Sequence, residues 1–256
     1  AKGKGYENQR YLIAVSHRRQ GIFPHKLPHH KAVCNIVELL KNDASEQWQT
    51  EPPKRPAAWK ERQVLYLITG ASGSGKSEYA EDVACYLARR DGMRHKLYVA
   101  TMEAKSEEAQ ERIARHKRQR QGKGFVTVES LYGLAFSFPG EEKAPFRLPC
   151  LPQDCVILLE CLSNLLANLM FSDKRSGGQA TEAILSQVRQ RQRLCRHLVI
   201  VTNEVFSDGM LYTGEVLEYV RALGTLNRLL AEEADGFLEV VYSVPLWLKG
   251  DRIWQF

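Results

Sequence analysis

The sequence predicts an α/β fold in which helices cover both faces of a mostly parallel sheet. From residue 64 onward, short apolar runs typical of buried strands alternate with segments whose apolar residues recur at helical spacing. Strands joined through helices form crossover units, and these place neighbouring strands parallel. The chain has 256 residues, and the part after residue 63 is long enough to enclose one sizeable core. We therefore predict one domain over residues 64–256.

The predicted elements follow one another without an internal repeat. Strands are expected at five apolar runs, 64–69, 96–101, 155–160, 197–202 and 237–242, of which the fifth is the last strand of the domain. A helix over 77–90 places Ala80, Val83, Ala84 and Leu87 on one face and stops at Gly92. A strongly charged helix is predicted over 106–121. Further helices are predicted from the third strand to about residue 171, at 181–195 and at 215–234.

Residues 1–63 differ from the rest and are predicted to be a basic extension or small subdomain. They hold 12 basic and 6 acidic side chains, which accounts for the whole net charge of +6. Prolines interrupt any long helix there, so only a strand at 10–16, a helix at 32–41 and a linker at 51–60 are expected. Such a segment is typical of a solvated docking arm, although RNA, an acidic membrane or a phosphate-bearing substrate would also suit its charge.

Composition excludes several classes of protein. Hydrophobic residues make up 44% and charged residues 26%, which is ordinary for a globular chain. No apolar run reaches the ~18 residues of a membrane span. The six cysteines form no C-x-x-C pair, which favours reduced thiols and a cytoplasmic location. Because basic and acidic side chains balance after residue 63, we expect no nucleic-acid partner for that domain.

The clearest motif lies where the first predicted strand meets the first predicted helix. Eight residues there match the G-x-x-x-x-G-K-S pattern of a phosphate-binding loop: Gly70, Ala71, Ser72, Gly73, Ser74, Gly75, Lys76 and Ser77. Glycines allow successive backbone N–H groups to face the phosphates, and the helix N-terminus adds a favourable dipole. We expect Lys76 to reach the β- and γ-phosphates and Ser77 to bind Mg²⁺. The fold prediction thus narrows to a P-loop NTPase-like domain.

Polar residues at the ends of other strands are candidates for the same site. In parallel sheets, ligands bind beyond the carboxyl ends of the strands. Glu160 ends the most apolar predicted strand and is predicted to hold Mg²⁺, directly or through water, although an acid favoured by a following helix dipole is the alternative. Thr101 with Glu103, and Thr202 with Glu204, end two other strands. Glu204 is either a second metal or substrate group or a structural cap.

His116 is a candidate nucleophile on the charged helix. It lies one turn from both Arg112 and Arg120, whose charges would lower its pKa and bind nucleotide phosphates. A covalent histidine phosphoramidate requires both properties. On spacing alone, a solvated basic helix remains the alternative.

Taken together and in order, the motifs resemble the bifunctional adenosylcobinamide kinase / adenosylcobinamide-phosphate guanylyltransferase family of cobalamin biosynthesis. The resemblance covers about residues 64–250. Its matching pieces are the phosphate loop 70–77, the strand 97–101, Arg112-Ile113-x-x-His116-Lys117, Thr127-Val128-Glu129, Leu158-Leu159-Glu160-Cys161-Leu162, Asn168-Leu169, Thr202-Asn203-Glu204-Val205 and the segment 227–235. The loop departs from the family pattern at Ala71 and Gly73, and Gln121 stands where the family tends to have proline.

The resemblance implies a two-step transferase. The first step would phosphorylate adenosylcobinamide with ATP or GTP, and the second would move GMP from GTP through guanylylated His116 onto adenosylcobinamide phosphate. Mg²⁺ would be held by Ser77 and Glu160. Beyond the phosphate loop, the resemblance implies a nucleotide site lined by Thr101, Met102, Glu103, Lys117, Arg118, Gln119, Arg120, Glu129 and Glu160. Family members are homo-oligomers, typically trimers, so a site shared between subunits is expected.

Two other functions stay open on the sequence. A plain P-loop kinase acting on a small molecule would transfer a γ-phosphoryl group and form no covalent nucleotide adduct. A nucleotide-gated binding module would use residues 1–63 to bind nucleic acid or another partner, with a steep salt dependence.

Overall fold

The computed structural model describes residues 63–134, 136–137, 146–147 and 154–252. The strands in these ranges are β1 (Val64–Thr69), β2 (His95–Ala100), β3 (Phe125–Glu129), β4 (Phe136–Ser137), β5 (Phe146–Arg147), β6 (Cys155–Glu160), β7 (His197–Val201), β8 (Gly236–Val241) and β9 (Val244–Lys249). The α-helices are α1 (Lys76–Asp91), α2 (Glu107–Gln119), α3 (Leu162–Ala167), α4 (Gly177–Leu194) and α5 (Gly214–Glu233). A π-helix, Asn168–Ser172, continues α3. The strand, helix and linker predicted before residue 63 lie outside the described residues.

Seven strands form one sheet in the order β3-β2-β6-β7-β1-β8-β9, and β4 and β5 pair separately. All neighbours in the large sheet are parallel except β8 and β9, which are antiparallel. The carboxyl ends of six strands therefore meet at one edge of the sheet, which is where the phosphate loop lies. The predicted α/β class with a mostly parallel sheet is confirmed.

Alternation along the central strands divides their side chains between two covered faces. Leu65 and Leu67 of β1 belong to a large apolar cluster with buried residues of α3, α4 and α5. Tyr66 and Ile68 are equally buried on the opposite face, where α1 packs against β6 and β7. Fully buried parallel strands need apolar residues at every position, which explains the continuous runs in β6 and β7. Helices thus cover both faces.

Two strands of the large sheet were not predicted, and both lie at its borders. β3 has only one buried residue, Val128, and β9 alternates between exposed and half-buried positions. Neither forms a continuous apolar run. The prediction that the strand at 237–242 is the last one is therefore wrong, because the chain turns at Tyr242 and Ser243, with φ of 50° and 64°, and returns as β9.

The predicted helices agree with the structure to within a few residues at their ends. The largest difference is α4, which begins at Gly177 rather than at 181 because Ser176 and Gln179 form a capping box. Across the ranges that the structure describes, no helix has both the length and the apolar character that a membrane crossing requires.

Candidate active site

The phosphate loop adopts a conformation that depends on its glycines. Gly73 and Gly75 have φ of 71° and 89°, in the left-handed region that other residues rarely adopt. A Cβ on Gly75 would also lie 2.5 Å from Oγ of Ser243 in the β8–β9 turn. The ammonium of Lys76 lies inside the loop, where Nζ donates to the carbonyl of Ala71 at 3.0 Å. The ammonium of Lys76 therefore lies against the backbone of a loop whose N–H groups are suited to binding a phosphate.

Ser77 and Glu160 meet at the base of the loop. Ser77 Oγ donates to Glu160 Oε1 at 2.8 Å, while Glu160 Oε2 is shielded from solvent and has no hydrogen-bond partner among the described residues. Burial raises the pKa of Glu160 to about 7, although the bond from Ser77 and the charge of Lys76 oppose that rise. A serine hydroxyl and an unsatisfied carboxylate oxygen are the hard oxygen ligands that Mg²⁺ prefers.

α2 places His116 close enough to the loop for the charge of Lys76 to lower the pKa of the imidazole. Arg112 Nη2, one turn before the histidine, is 3.5 Å from Ser72 Oγ. The half-buried imidazole has its pKa lowered to about 4, first by burial and then by Arg120, Arg112 and Arg115, with a smaller effect from Lys76. The predicted lowering by neighbouring cations is present, but burial is the larger cause. His116 is therefore neutral at pH 7, which is the nucleophilic state of an imidazole.

Arg120 is, like Lys76, a nearly buried cation of this region. Its guanidinium carbon lies 3.5 Å from the centre of the Tyr98 ring, and Nη2 donates to Thr127 Oγ1 at 3.3 Å. Only 8% of the residue is exposed, and Nη1 has no partner within the described ranges. A stacked guanidinium with a free donor beside His116 is suited to binding a phosphate oxygen.

The other predicted nucleotide residues lie either at the same sheet edge or along α2, and they differ in exposure. Thr101 is fully buried, and its hydroxyl donates to the carbonyl of Cys161 at 2.8 Å. Glu103 is half-buried and pairs with Lys105 at 2.8 Å. Glu129 is exposed at the end of β3. The remaining predicted residues comprise one that is half-buried, Met102, and three exposed along α2, Lys117, Arg118 and Gln119.

Glu204 supports its own loop. Its carboxylate accepts from the backbone N–H of Phe206 at 2.9 Å and from the hydroxyl of Ser207 at 2.8 Å. Its backbone N–H donates to the carbonyl of Gly70 at 3.1 Å, which ties the segment after β7 to the phosphate loop. These contacts favour a structural cap over a metal ligand.

Sequence reasoning missed three residues around the site. Tyr98 provides the face on which Arg120 stacks, Ser243 limits the space beside Gly75, and Glu81 of α1 is a fully buried carboxylate. Glu81 follows Ser77 by four residues, so helical spacing alone places both on one side of α1. This spacing could have indicated Glu81 from the sequence, whereas no sequence pattern indicated Tyr98 or Ser243. A groove of about 780 Å³ between α4 and α5 is lined by none of the predicted site residues.

Comparisons with known proteins match the domain that holds this site. A family model described as cobinamide kinase / cobinamide phosphate guanyltransferase matches residues 66–248. The bifunctional adenosylcobalamin biosynthesis protein CobU of Salmonella typhimurium strain LT2 is 28% identical over 198 residues, which span 73% of this chain and all of that protein.

Similar solved structures are much more distant. One is the flagellar accessory protein FlaH from Methanocaldococcus jannaschii, 15% identical, with a TM-score of 0.38 over 73% of this chain and 79% of that one. Another is the KaiC-like protein PH0186 from Pyrococcus horikoshii OT3, 14% identical, with a TM-score of 0.36 over 69% of this chain and 71% of that one.

Proposed function

The chain belongs to the cobinamide kinase / cobinamide phosphate guanyltransferase family, and from this premise we propose that it catalyses both reactions on adenosylcobinamide. It phosphorylates adenosylcobinamide and then transfers GMP from GTP, through a guanylylated His116, to give adenosyl-GDP-cobinamide. The observation that supports this proposal most strongly is the proximity of a neutral histidine to a phosphate loop, with Arg112 reaching Ser72 between them.

The phosphate loop performs the kinase step. Backbone N–H groups of residues 70–77 bind the triphosphate, and Lys76 neutralises charge on the β- and γ-phosphates. The acceptor hydroxyl oxygen of adenosylcobinamide forms a bond to the γ-phosphorus while the bond between that phosphorus and the β–γ bridging oxygen breaks, and the hydroxyl proton passes to water. Ser77 and Glu160 fit a magnesium site, because Glu160 Oε2 is buried without a partner in the described part of the chain. When bound, Mg²⁺ supplies positive charge to the phosphates.

α2 performs the guanylyl transfer. An imidazole nitrogen of His116 attacks the α-phosphorus of GTP, and pyrophosphate leaves as the N–P bond forms. A phosphate oxygen of adenosylcobinamide phosphate then attacks the same phosphorus and releases the histidine. Arg112 and Arg120 stabilise the charge on the phosphates during both displacements. The remaining residues of the predicted nucleotide set stay predictions, as do the use of ATP or GTP by the kinase step, a homo-oligomeric state and a cytoplasmic location.

Covalent labelling tests this proposal. Intact-mass measurement after incubation with Mg²⁺ and GTP, without acid because phosphoramidates hydrolyse in it, is expected to show a GMP adduct on the native chain. His116→Ala abolishes the adduct, whereas Glu111→Ala, a change at an exposed residue of the same helix outside the predicted nucleotide site, retains it. Absence of the adduct from native protein that binds GTP would contradict the covalent mechanism and favour the plain kinase.

A further inference from the structure

The helix that carries His116 is only weakly anchored by apolar residues. None of the residues of α2 is buried, and Ile113 and Ala114 are half-buried, so hydrophobic contacts position this helix less firmly than usual. Its attachment therefore depends strongly on polar contacts, one from the middle of α2 and the others from the residues just after its end. Arg112 meets the phosphate loop, and the segment that follows α2 meets β2, β3 and α1 through Arg120 and Lys123.

The contact with α1 is an ion pair in which one partner is completely buried. Lys123 Nζ lies 3.0 Å from Glu81 Oε2, and the Glu81 side chain has no exposed surface. The same ammonium donates to Asp82 Oδ1 at 2.8 Å, but Asp82 is 39% exposed. The backbone N–H of Lys123 donates to the carbonyl of Arg120 at 3.0 Å, so the lysine is joined to the end of α2 by a tight turn.

Burying the carboxylate of Glu81 is unfavourable in free energy, and the reactions proposed above give this residue no role. Burial raises its pKa, while Lys123 and Arg120 lower it. A buried carboxylate is tolerated when cations compensate it, and removing one partner leaves the others uncompensated. α1 begins at the phosphate loop, and Glu81 lies on α1 one turn after Ser77. The ion pair between Glu81 and Lys123 therefore connects the loop, through α1, to the end of α2.

We propose that Glu81 is a positioning residue for guanylyl transfer. Through Lys123 it holds the carboxyl end of α2 against α1, and it thereby sets the distance between His116 and the α-phosphorus of GTP bound in the loop. Glu81 contacts neither nucleotide nor acceptor. The inference rests on the proposed function, since it concerns the rate at which His116 accepts GMP.

The experiment compares two neighbouring neutralisations on α1. Glu81→Gln keeps the shape and removes the buried charge, and Asp82→Asn removes an exposed charge from the same lysine. Rapid-quench intact mass gives the rate of GMP-adduct formation at saturating GTP, and two further measurements give GTP affinity and γ-phosphoryl transfer from ATP. We expect Glu81→Gln to slow adduct formation about 10- to 100-fold, because small displacements of a reacting group cost rates of that order. We expect GTP affinity and γ-phosphoryl transfer to change less than about threefold, and Asp82→Asn to stay within about threefold in every measurement.

A second pair of variants changes Lys123, the more exposed partner of the ion pair with Glu81. Lys123→Met is expected to slow adduct formation as Glu81→Gln does, and Lys123→Arg, which keeps the charge, restores most of the rate. This pair decides the question if Glu81→Gln does not fold. Unchanged adduct rates would overturn the inference, and so would parallel losses of adduct formation, GTP affinity and phosphoryl transfer. If the native chain forms no adduct, the proposed function itself fails, and this inference fails with it.

Discussion

Burial shifts Glu160 and His116, like Lys76, toward their neutral forms. The pKa of Glu160 rises to about 7 and that of His116 falls to about 4, and in both the first cause is loss of solvent. For the histidine this shift is useful, because it keeps the imidazole unprotonated throughout the physiological range. For Glu160 the raised pKa means that the buried negative charge destabilises the folded protein, and a bound cation would offset that destabilisation.

The shift at Glu160 predicts that the nucleotide-free protein becomes more stable when this charge is removed. A rise from 4.5 to about 7 corresponds to on the order of 3 kcal/mol against the ionised form. Since the folded-state pKa is the higher one, the penalty is small near pH 5 and fully developed above pH 7. Glu160→Gln is therefore expected to raise the melting temperature, by several degrees at pH 8 and much less at pH 5, in calorimetric scans with a chelator present.

The same variant separates stability from function at this residue. Mg²⁺ should raise the melting temperature of the native protein at pH 8 and have a smaller effect on Glu160→Gln, because one of the two proposed oxygen ligands loses its charge. Equal melting temperatures for the native and variant proteins at pH 8 would show that the buried charge of Glu160 does not destabilise the folded protein.

At the scale of elements, the site depends on the turn between β8 and β9 as well as on the phosphate loop itself. The backbone N–H of Ser243 donates to the carbonyl of Ser74 at 2.8 Å, and the Ser243 side chain occupies the space beside Gly75. The antiparallel border strand thus closes a turn that supports the loop from outside the parallel sheet.

This packing predicts different effects for alanine at two neighbouring glycines. Both glycines have positive φ, so each alanine costs about 1–2 kcal/mol of stability from backbone strain. At Gly73 no atom of the described residues lies within 4 Å of the new Cβ, whereas at Gly75 it meets Ser243 Oγ at 2.5 Å. Gly75→Ala should therefore lower the free energy of unfolding further than Gly73→Ala does, and weaken GTP binding more, in denaturant titration and calorimetry.

A double-mutant cycle attributes that difference to the turn. Adding Ser243→Gly removes the obstructing hydroxyl, so the Gly75→Ala change should cost less in that background than in the native one. A cost that is independent of residue 243 would refute the steric explanation.

The central elements could be predicted from the sequence, whereas the border elements could not. β1, β6 and β7 are buried on both faces, so their apolar runs are continuous and distinctive. β3 and β9 are largely exposed to solvent, and the left-handed residues before β9, Tyr242 and Ser243, are not the glycine, asparagine or aspartate that usually adopt that conformation in a turn. Whether a strand lies at the border of a sheet depends on which strands pair with it. The pattern of apolar residues along the sequence does not directly show that pairing.

The candidate site shows the same division. The phosphate loop and His116 could be found because each lies in a compact motif. The Ser77–Glu160 bond joins residues 83 positions apart, and the stacking of Arg120 on Tyr98 joins a helix end to a strand. Such contacts arise from the packing of the elements, in which α1 lies against β6 and β2 pairs with β3. The structure was needed to show that Glu81 is buried and paired.

In the whole molecule, the net charge and the family match both separate the first 63 residues or so from the rest of the chain. Residues 1–63 hold the entire net charge of +6, while the later residues are neutral overall. The family match spans residues 66–248, and the residues proposed for both reactions all lie inside it. Nothing in the proposed chemistry therefore requires the basic segment.

Deleting residues 1–62 should consequently leave the chemistry intact. We expect the shortened chain to form the GMP adduct at a rate within about twofold of the full chain, because His116, the phosphate loop and the Glu81–Lys123 pair are all retained. Rapid-quench intact mass measures this, with His116→Ala in the shortened chain as the control. A loss of more than about tenfold, in a shortened chain whose melting temperature is unchanged, would place part of the active site in the basic segment. A retained rate would instead assign that segment a role outside catalysis, and the salt dependence of its binding to acidic surfaces would then be the property to measure.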